Sequence, residues 1–261
     1  MKCLILAAGY ATRLYPLTEN YPKPLLEVAG KAIVDWLVDD LVEDGRVDAF
    51  AVVTNHKFAP HFENWTANRL MYFLEHQDSE GEDVQMPGIA VVDDGTETNE
   101  TRLGAVRDIQ FALDELGWDD DLLVIAGDNV LDFSLSKFID YSLGKGTSCI
   151  MRYFEPDGAR LKKSGIVEID GDGLILGMEE KPAEPKSNWC CPPFYFYVRE
   201  DARRFAEGIA AGCGTDAPGS FVAWLSGQTR VHAMEMPGKR FDIGNLESYR
   251  NVCGNYRGII E

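Results

Sequence analysis

The sequence contains few basic residues and no long apolar segment. Its 261 residues include 25 lysines and arginines against 43 aspartates and glutamates, which gives a formal net charge of −18. This balance opposes a broad nucleic-acid surface, because neutralising many phosphates requires clustered lysine and arginine. A bilayer-spanning helix needs about 18 consecutive apolar residues, and the sequence has no such run. We therefore expect neither a nucleic acid nor a membrane as partner.

The sequence also lacks a secretory signal and paired cysteine motifs. Met1-Lys2-Cys3 leads directly into a short apolar segment without a polar spacer or a cleavage site. Six cysteines, at positions 3, 149, 190, 191, 213 and 253, show no metal-ligand spacing, so we expect free thiols. These features predict a cytoplasmic protein.

Short apolar runs alternate with helical patterns in the first half of the chain. Runs that do not alternate with polar residues are typical of buried central strands, and they cover residues 4–8, 50–53, 89–92, 122–126 and 148–151. Helical spacing spans 33–41 before Gly45 and 106–113 before Gly117. The alternation predicts an α/β fold, a Rossmann-like three-layer α/β/α sandwich with a mostly parallel central sheet.

The second half has a different pattern. Residues 165–169 and 174–178 flank Asp170-Gly171-Asp172-Gly173, a strong turn signal that predicts an added β-hairpin. Further strands are expected at 194–198 and 231–236, with helices at 201–210 and from Leu246 onward. We interpret residues 1–261 as a single domain with two halves, 1–150 and 151–261. Residues 77–87, rich in acidic and small side chains, are expected to form a flexible loop.

The segment after the first strand suits an anionic ligand. In open α/β sheets ligands bind beyond the carboxyl ends of the strands. Ala7, Ala8 and Gly9 keep side chains small there, so that backbone N–H groups can approach phosphate oxygens, while Thr12 and Arg13 add a hydroxyl and a bidentate cation. The loop taken alone is equally compatible with a tight strand-to-helix turn carrying a surface arginine.

Two standard phosphate motifs do not apply. A Walker loop would end in Gly-Lys-Ser/Thr, and a dinucleotide fingerprint would place a second glycine two residues after Gly9. The segment 144–148, Gly-Lys-Gly-Thr-Ser, precedes a predicted strand where a phosphate loop should precede a helix. Pro22-Lys23-Pro24 strengthens the first site, because the flanking prolines restrict the backbone and can aim Lys23 at the loop. The alternative for Lys23 is a solvated side chain in a proline-rich turn.

These residues together resemble a known signature. Leu6 to Arg13, Pro16-Leu17-Thr18 and Pro22-Lys23-Pro24-Leu25-Leu26 are similar to the motif of the sugar-1-phosphate nucleotidyltransferases, the nucleotide-sugar pyrophosphorylases, and most of all to the glucose-1-phosphate thymidylyltransferase branch. Three further family elements follow in order. They are 126–129 (Ala-Gly-Asp-Asn), 179–182 (Glu-Glu-Lys-Pro) and 241–244 (Phe-Asp-Ile-Gly). The resemblance spans nearly the whole chain and implies the nucleotide-diphospho-sugar transferase fold.

The resemblance implies a reaction between a nucleoside triphosphate and a sugar 1-phosphate, yielding a nucleotide-sugar and pyrophosphate. Its magnesium-assisted step is in-line attack on the α-phosphate. Implied roles are catalysis by Arg13 and Lys23; nucleotide binding by Leu6, Ala8, Gly9, Thr12 and Gly104; sugar-phosphate binding by Gly165, Glu180 and Lys181; and Mg²⁺ binding by Asp128 and Asp242. The two halves would then bind nucleotide and sugar phosphate respectively. A homo-oligomer is a further expectation from the resemblance.

Two departures from the family pattern stand out. Ala11 occupies a loop position that is usually glycine, so the backbone there must tolerate a β-carbon. Residues 99–106, Asn-Glu-Thr-Arg-Leu-Gly-Ala-Val, lack the usual base-reading pattern, which leaves thymine, uracil and cytosine open. Two alternatives also remain: a cytidylyltransferase acting on phosphocholine or a similar alcohol phosphate, and a non-catalytic regulatory relative that binds nucleotide-sugars.

Overall fold

A computed structural model describes residues 1–76 and 87–260 of the chain. Most of the loop expected at 77–87 lies outside these residues. Among the helices described, none combines the length and the apolar character that crossing a membrane requires.

The strands and helices follow the predicted alternation through the first half. The strands are β1 (Lys2–Leu6), β2 (Glu27–Val28), β3 (Lys31–Ala32), β4 (Ala49–Thr54), β5 (Gly88–Asp93), β6 (Leu122–Ala126), β7 (Asn129–Leu131), β8 (Ser148–Phe154), β9 (Gly165–Ile169), β10 (Ile175–Glu180), β11 (Trp189–Cys191), β12 (Phe194–Tyr197), β13 (Val231–Glu235) and β14 (Arg240–Asp242). The helices are α1 (Ile33–Asp44), α2 (Ala59–His76), α3 (Ala105–Leu116), α4 (Ser136–Lys145), α5 (Gly158–Leu161), α6 (Arg199–Ala202), α7 (Phe205–Ala210), α8 (Gly219–Leu225) and α9 (Leu246–Asn255).

One large sheet organises the described residues. Its order is β10-β9-β11-β8-β12-β6-β1-β4-β5, and β13 pairs in parallel with β8 outside this path. The pairings make seven of these ten strands run in one direction, while β10, β11 and β12 run against them. The prediction of a mostly parallel central sheet is therefore confirmed. Parallel order places the carboxyl ends of β1, β4, β5 and β6 at one edge, where ligands bind in such sheets.

Helices cover both faces of the sheet. Ile5 and Val52 pack on one face in an apolar cluster with α1, α2 and α4. Leu4 and Val53, their neighbours along β1 and β4, point to the opposite face and pack with α3, α7 and α8. Because successive side chains of a strand alternate between faces, continuous apolar runs such as Leu4-Ile5 bury both sides at once. The three-layer expectation is confirmed.

Local signals fix several element ends. Helix α1 ends before Gly45, whose φ of 77° is left-handed and whose N–H donates to the carbonyl of Leu41. In the β9–β10 hairpin, Asp170 Oδ1 accepts N–H groups of Asp172 and Leu174, each at 2.9 Å. This hairpin joins the large sheet through β11, as an extension of its edge.

One predicted helix is interrupted. The sequence predicts a single helix over 201–210, whereas the structure has α6 and α7 separated by Arg203 and Arg204. The Arg203 guanidinium binds Asp119, which also binds Arg199, and the N–H of Arg204 closes a tighter turn onto the carbonyl of Asp201. A tertiary ion pair and a local 3-10 turn therefore replace the continuous helix.

Candidate functional site

The loop after β1 is anchored on the carboxyl side of the sheet. The N–H of Ala7 donates to the carbonyl of Val53 at 2.9 Å, and Asn55 Nδ2 donates to the carbonyl of Ala8 at 3.0 Å. The Tyr10 hydroxyl donates to the carbonyl of Thr96 at 3.1 Å. A β-carbon on Gly9 would meet no atom within 4 Å, so the backbone of Gly9 faces open space. The loop is thus fixed at both sides and accessible at its centre.

Ala11 adopts a backbone conformation that usually favours glycine. Its φ and ψ are 46° and 39°, in the left-handed region, and its carbonyl accepts the Thr18 hydroxyl at 2.9 Å. A non-glycine residue here costs about 1 kcal/mol. The chain therefore keeps the turn that glycine would make, with the β-carbon tolerated. Thr12 and Arg13 follow in a short 3-10 helix, where both are exposed.

Lys23 is held against the end of β6. Its side chain is only 8% exposed, and Nζ lies 2.7 Å from Oδ2 of Asp128. Asn129 Nδ2 donates to the other Asp128 oxygen at 2.6 Å. Pro22, in extended backbone, precedes the 3-10 turn that carries Lys23. The ammonium of the proline-flanked lysine therefore lies against the carboxylate that follows β6.

A small two-stranded sheet brings the two predicted metal ligands to one cavity. Strands β7 and β14 pair antiparallel, with Asn129 opposite Asp242. Asp128 and Asp242 both line a cavity of about 340 Å³. That cavity is also lined by the predicted nucleotide-binding residues Leu6, Ala8, Gly9 and Gly104. Asp128 and Asp242, which are 114 positions apart in the chain, therefore line the same cavity.

The donor set suits a magnesium ion that also binds phosphate. Among the residues that the structure describes, no group of three or more His, Cys, Asp or Glu side chains could hold a metal alone. Mg²⁺ commonly takes one or two carboxylates and completes its shell with water and substrate phosphates. Asp128 and Asp242, with side chains 37% and 56% exposed, provide that partial set. Arg240, at 3.8 Å from Asp242 and donating to Asn129 Oδ1 at 2.6 Å, lies beside them.

Arg13 connects two further cavities. One, of about 230 Å³, lies between the loop and Lys23, and includes Gly9 and Asp128 in its lining. The other, of about 770 Å³, we name the basic cleft, because five cationic side chains line it against three carboxylates. The cations are Arg13, Arg160, Lys163, Lys239 and Arg240. Basic side chains are therefore concentrated beside the loop, although the chain as a whole is acidic. Thr12, although described, is absent from the lining of all three cavities.

The predicted sugar-phosphate residues approach from the β9–β10 hairpin. Lys181, in the left-handed region at φ 50°, donates its N–H to the carbonyl of Ser164 at 3.1 Å. Its Nζ lies 3.7 Å from Oδ2 of Asp216, which lines the 340 Å³ cavity. Burial raises the pKa of the preceding Glu180, against the opposing effect of Lys181. A β-carbon on Gly165 would lie 2.8 Å from Glu180 Oε2, so glycine makes room for this carboxyl.

Arg102 and Asp216, which no sequence motif assigns to the site, join the two halves of the chain. Arg102 Nη2 lies 2.7 Å from Asp216 Oδ1, and the same carboxylate faces Lys181. The pairing lowers the pKa of Asp216, chiefly through the hydrogen bond from Arg102. No local motif marks Asp216, since its partners lie far away in sequence.

Gly104 lets the segment carrying Asp216 approach helix α3. Its φ is 90°, and a β-carbon there would lie 2.6 Å from the carbonyl oxygen of Thr215. We expect Gly104→Ala to lower the free energy of unfolding by about 2–4 kcal/mol, measured by urea denaturation, from strain and steric overlap together.

The control for this substitution is Gly95→Ala. Gly95 also has positive φ, 73°, but a β-carbon there would meet nothing within 4 Å. Gly95→Ala should lower the free energy of unfolding by only about 1 kcal/mol. An equal decrease in the free energy of unfolding in both variants would show that the contact with Thr215 is unimportant.

The chain is similar to known nucleotidyl transferases. A family model described as "Nucleotidyl transferase" matches residues 2–257. The glucose-1-phosphate thymidylyltransferase of Mycolicibacterium smegmatis is 31% identical, over 99% of this chain and 83% of that protein. The bifunctional protein GlmU of Methanocaldococcus jannaschii is 30% identical over 94% of this chain, which spans only 51% of that relative's length.

A solved structure has the same fold. A UDP-glucose pyrophosphorylase in complex with UDP-glucose superimposes with a TM-score of 0.79, covering 98% of this chain and 97% of that one, at 21% identity. At this identity the likeness concerns the fold. It agrees with the architecture expected from the sequence.

Proposed function

The chain belongs to the nucleotidyl transferase family, and from this premise we propose that it joins a nucleoside triphosphate to a sugar 1-phosphate and releases pyrophosphate. One observation carries the proposal. Lys23 and the two carboxylates Asp128 and Asp242 meet beside the open backbone of Gly9, at the carboxyl edge of the sheet. A cation, a two-carboxylate set and the open backbone of Gly9 in one cleft suit a triphosphate.

The reaction brings two anions together, so charge neutralisation supplies much of the catalysis. An oxygen of the sugar phosphate attacks the α-phosphorus in line as pyrophosphate leaves. Lys23 stabilises the charge on the α-phosphoryl oxygens, and Arg13 stabilises the leaving pyrophosphate at the mouth of the basic cleft. The attacking oxygen is already anionic near neutral pH, so the step needs no general base.

Magnesium would be held by Asp128 and Asp242 together with phosphate oxygens, and when bound it would neutralise developing negative charge. The nucleotide would contact the backbone of Leu6, Ala8 and Gly9 and approach Gly104, which lines the same cavity. Thr12 would add a hydroxyl at the rim.

The sugar phosphate is assigned to the hairpin side of the cleft. Lys181 would bind its phosphate in place of the carboxylate of Asp216. Glu180 would accept hydrogen bonds from sugar hydroxyls, and Gly165 leaves room for its carboxyl. The exposed side chain of Asp216, 62% accessible, makes the exchange of partners by Lys181 inexpensive.

Lys181→Ala is expected to raise the KM for sugar phosphate about 10- to 100-fold, because a charge-assisted contact is lost. The KM for the nucleotide should change little. Steady-state kinetics with each substrate varied in turn measures both values.

Lys186→Ala is the matched control for this substitution. Lys186 is an exposed lysine that follows the same hairpin and pairs with Glu179. An unchanged KM for sugar phosphate in Lys181→Ala would contradict the assignment.

The activity itself is tested by pyrophosphate release. The assay crosses the common nucleoside triphosphates with several sugar 1-phosphates and with phosphocholine, with and without Mg²⁺. Release with a sugar 1-phosphate is expected. Release with phosphocholine alone would favour the alcohol-phosphate reaction. No pyrophosphate release with any pair of substrates would contradict an enzymatic role.

A further inference from the structure

Two carboxyl groups lie together beside the 340 Å³ cavity, and one of them, Asp108, lines it. Asp94 directly follows β5, and Asp108 lies in the first turn of α3. They are 8% and 6% exposed. Burial raises the pKa of both carboxyl groups; the charge of Asp94 raises that of Asp108 further, whereas the hydrogen bond with Asp108 lowers that of Asp94. A buried acidic pair without an opposing cation is costly, so its presence beside a ligand cavity calls for a role.

One oxygen of each side chain is buried without a partner. Asp94 Oδ1 accepts the N–H and the hydroxyl of Thr96, each at 2.7 Å. Asp94 Oδ2 and Asp108 Oδ1 have no hydrogen-bond partner within the described residues. Burial, together with the charge of Asp94, raises the pKa of Asp108 to about 8. A single proton shared by the two carboxyl groups, which form a side-chain hydrogen bond with each other, would leave the pair with one negative charge.

With that proton in place, the remaining Asp108 oxygen is a hydrogen-bond acceptor. Asp108, although nearly buried, lines the cavity together with the small residues Gly104 and Ala105. Asp128 and Asp242 line the same cavity. A nucleotide whose phosphates lie near these two carboxylates can therefore reach Asp108 with its base inside one cavity, provided that the cleft binds nucleotide as proposed above.

We propose that Asp108 reads the nucleobase and selects bases with an exocyclic amino group over uracil and thymine. Cytosine and adenine present an amino donor where uracil and thymine present a carbonyl oxygen. Guanine also carries an amino group. An acceptor oxygen opposite an amino group forms a hydrogen bond, while opposite a carbonyl it leaves two acceptors facing each other without a proton. Asp94 is a positioning residue, since it holds the shared proton and orients Asp108.

The test measures nucleotide binding by calorimetry, without sugar phosphate, for CTP, ATP, GTP, UTP and dTTP. The wild-type protein is expected to bind at least one amino-bearing nucleotide about 10- to 100-fold more tightly than UTP and dTTP. Asp108→Ala should reduce this ratio to near one, mainly by weakening the amino-bearing nucleotide. The control is Asp114→Ala on the exposed face of α3, which should leave the ratio unchanged.

Several results would overturn the inference: tighter binding of UTP or dTTP by the wild-type protein, a ratio unchanged in Asp108→Ala, or no binding of any nucleotide. The nucleotide preference of the wild-type protein is measured without any variant, so it tests the inference even if Asp108→Ala folds poorly. Amino-base preference without pyrophosphate release would contradict only the proposed reaction. Release with UTP or dTTP preferred would contradict only the reading by Asp108.

Discussion

Asp128→Asn is expected to lower magnesium-dependent pyrophosphate release by about 10²- to 10³-fold. The substitution keeps the shape of the side chain and removes its charge. That charge has two partners in the proposed site, the bound Mg²⁺ and the Lys23 ammonium 2.7 Å away. Initial rates measured across a magnesium titration, with substrate held saturating, give the loss and any shift in metal requirement.

Two further variants separate these roles. Asp242→Asn should show a similar loss, although Asp242 pairs with Arg240 rather than Lys23. Asp172→Asn, in the exposed β9–β10 turn, is the control and should keep full activity. Undiminished release in Asp128→Asn or in Asp242→Asn would refute the metal assignment for that residue.

Lys23→Met is expected to lower kcat by about 10²- to 10³-fold, with a smaller effect on nucleotide binding. Methionine has similar length and no charge, so it fills the nearly buried space while leaving the α-phosphoryl oxygens without their cation. A fall in kcat and in kcat/KM by the same factor marks a contact made in the transition state. Single-turnover measurement of the chemical step provides the check.

Lys137→Met, on the exposed surface of α4, is the control for charge removal alone. If Lys23→Met raised KM and left kcat intact, Lys23 would contribute uniform binding of substrate. The proposed catalytic role would then be wrong.

Much of the fold could be predicted because its strands and helices carry local signals. The run at 122–126 matches β6 at both ends, and the spacing over 33–41 with Gly45 anticipates α1. Such signals depend on burial and on backbone preferences that act within a few residues. They failed at 201–210, where distant Asp119 binds Arg203 at the point where the helix is interrupted.

The candidate site was less accessible to sequence reasoning. The residues of the loop and of Pro22-Lys23-Pro24 could be proposed from side-chain chemistry, yet the contact of Lys23 with Asp128 depends on the placement of β6 beside β1. Asp108 looks like an ordinary acidic residue in a helical first turn. Only the packing of α3 beside the loop after β5 brings it to Asp94 and makes it an unusual group.

The basic cleft within an acidic chain has a consequence for association in salt. A net charge of −18 repels an approaching triphosphate at long range, whereas Arg13 and its neighbours attract it only near the cleft. At physiological ionic strength, exposed charges are screened beyond about 8 Å. Salt therefore screens the long-range repulsion of the triphosphate before it weakens the short-range contacts that hold the phosphates. Moderate salt should accordingly assist nucleotide capture by this chain, the opposite of its effect on a protein with a basic surface.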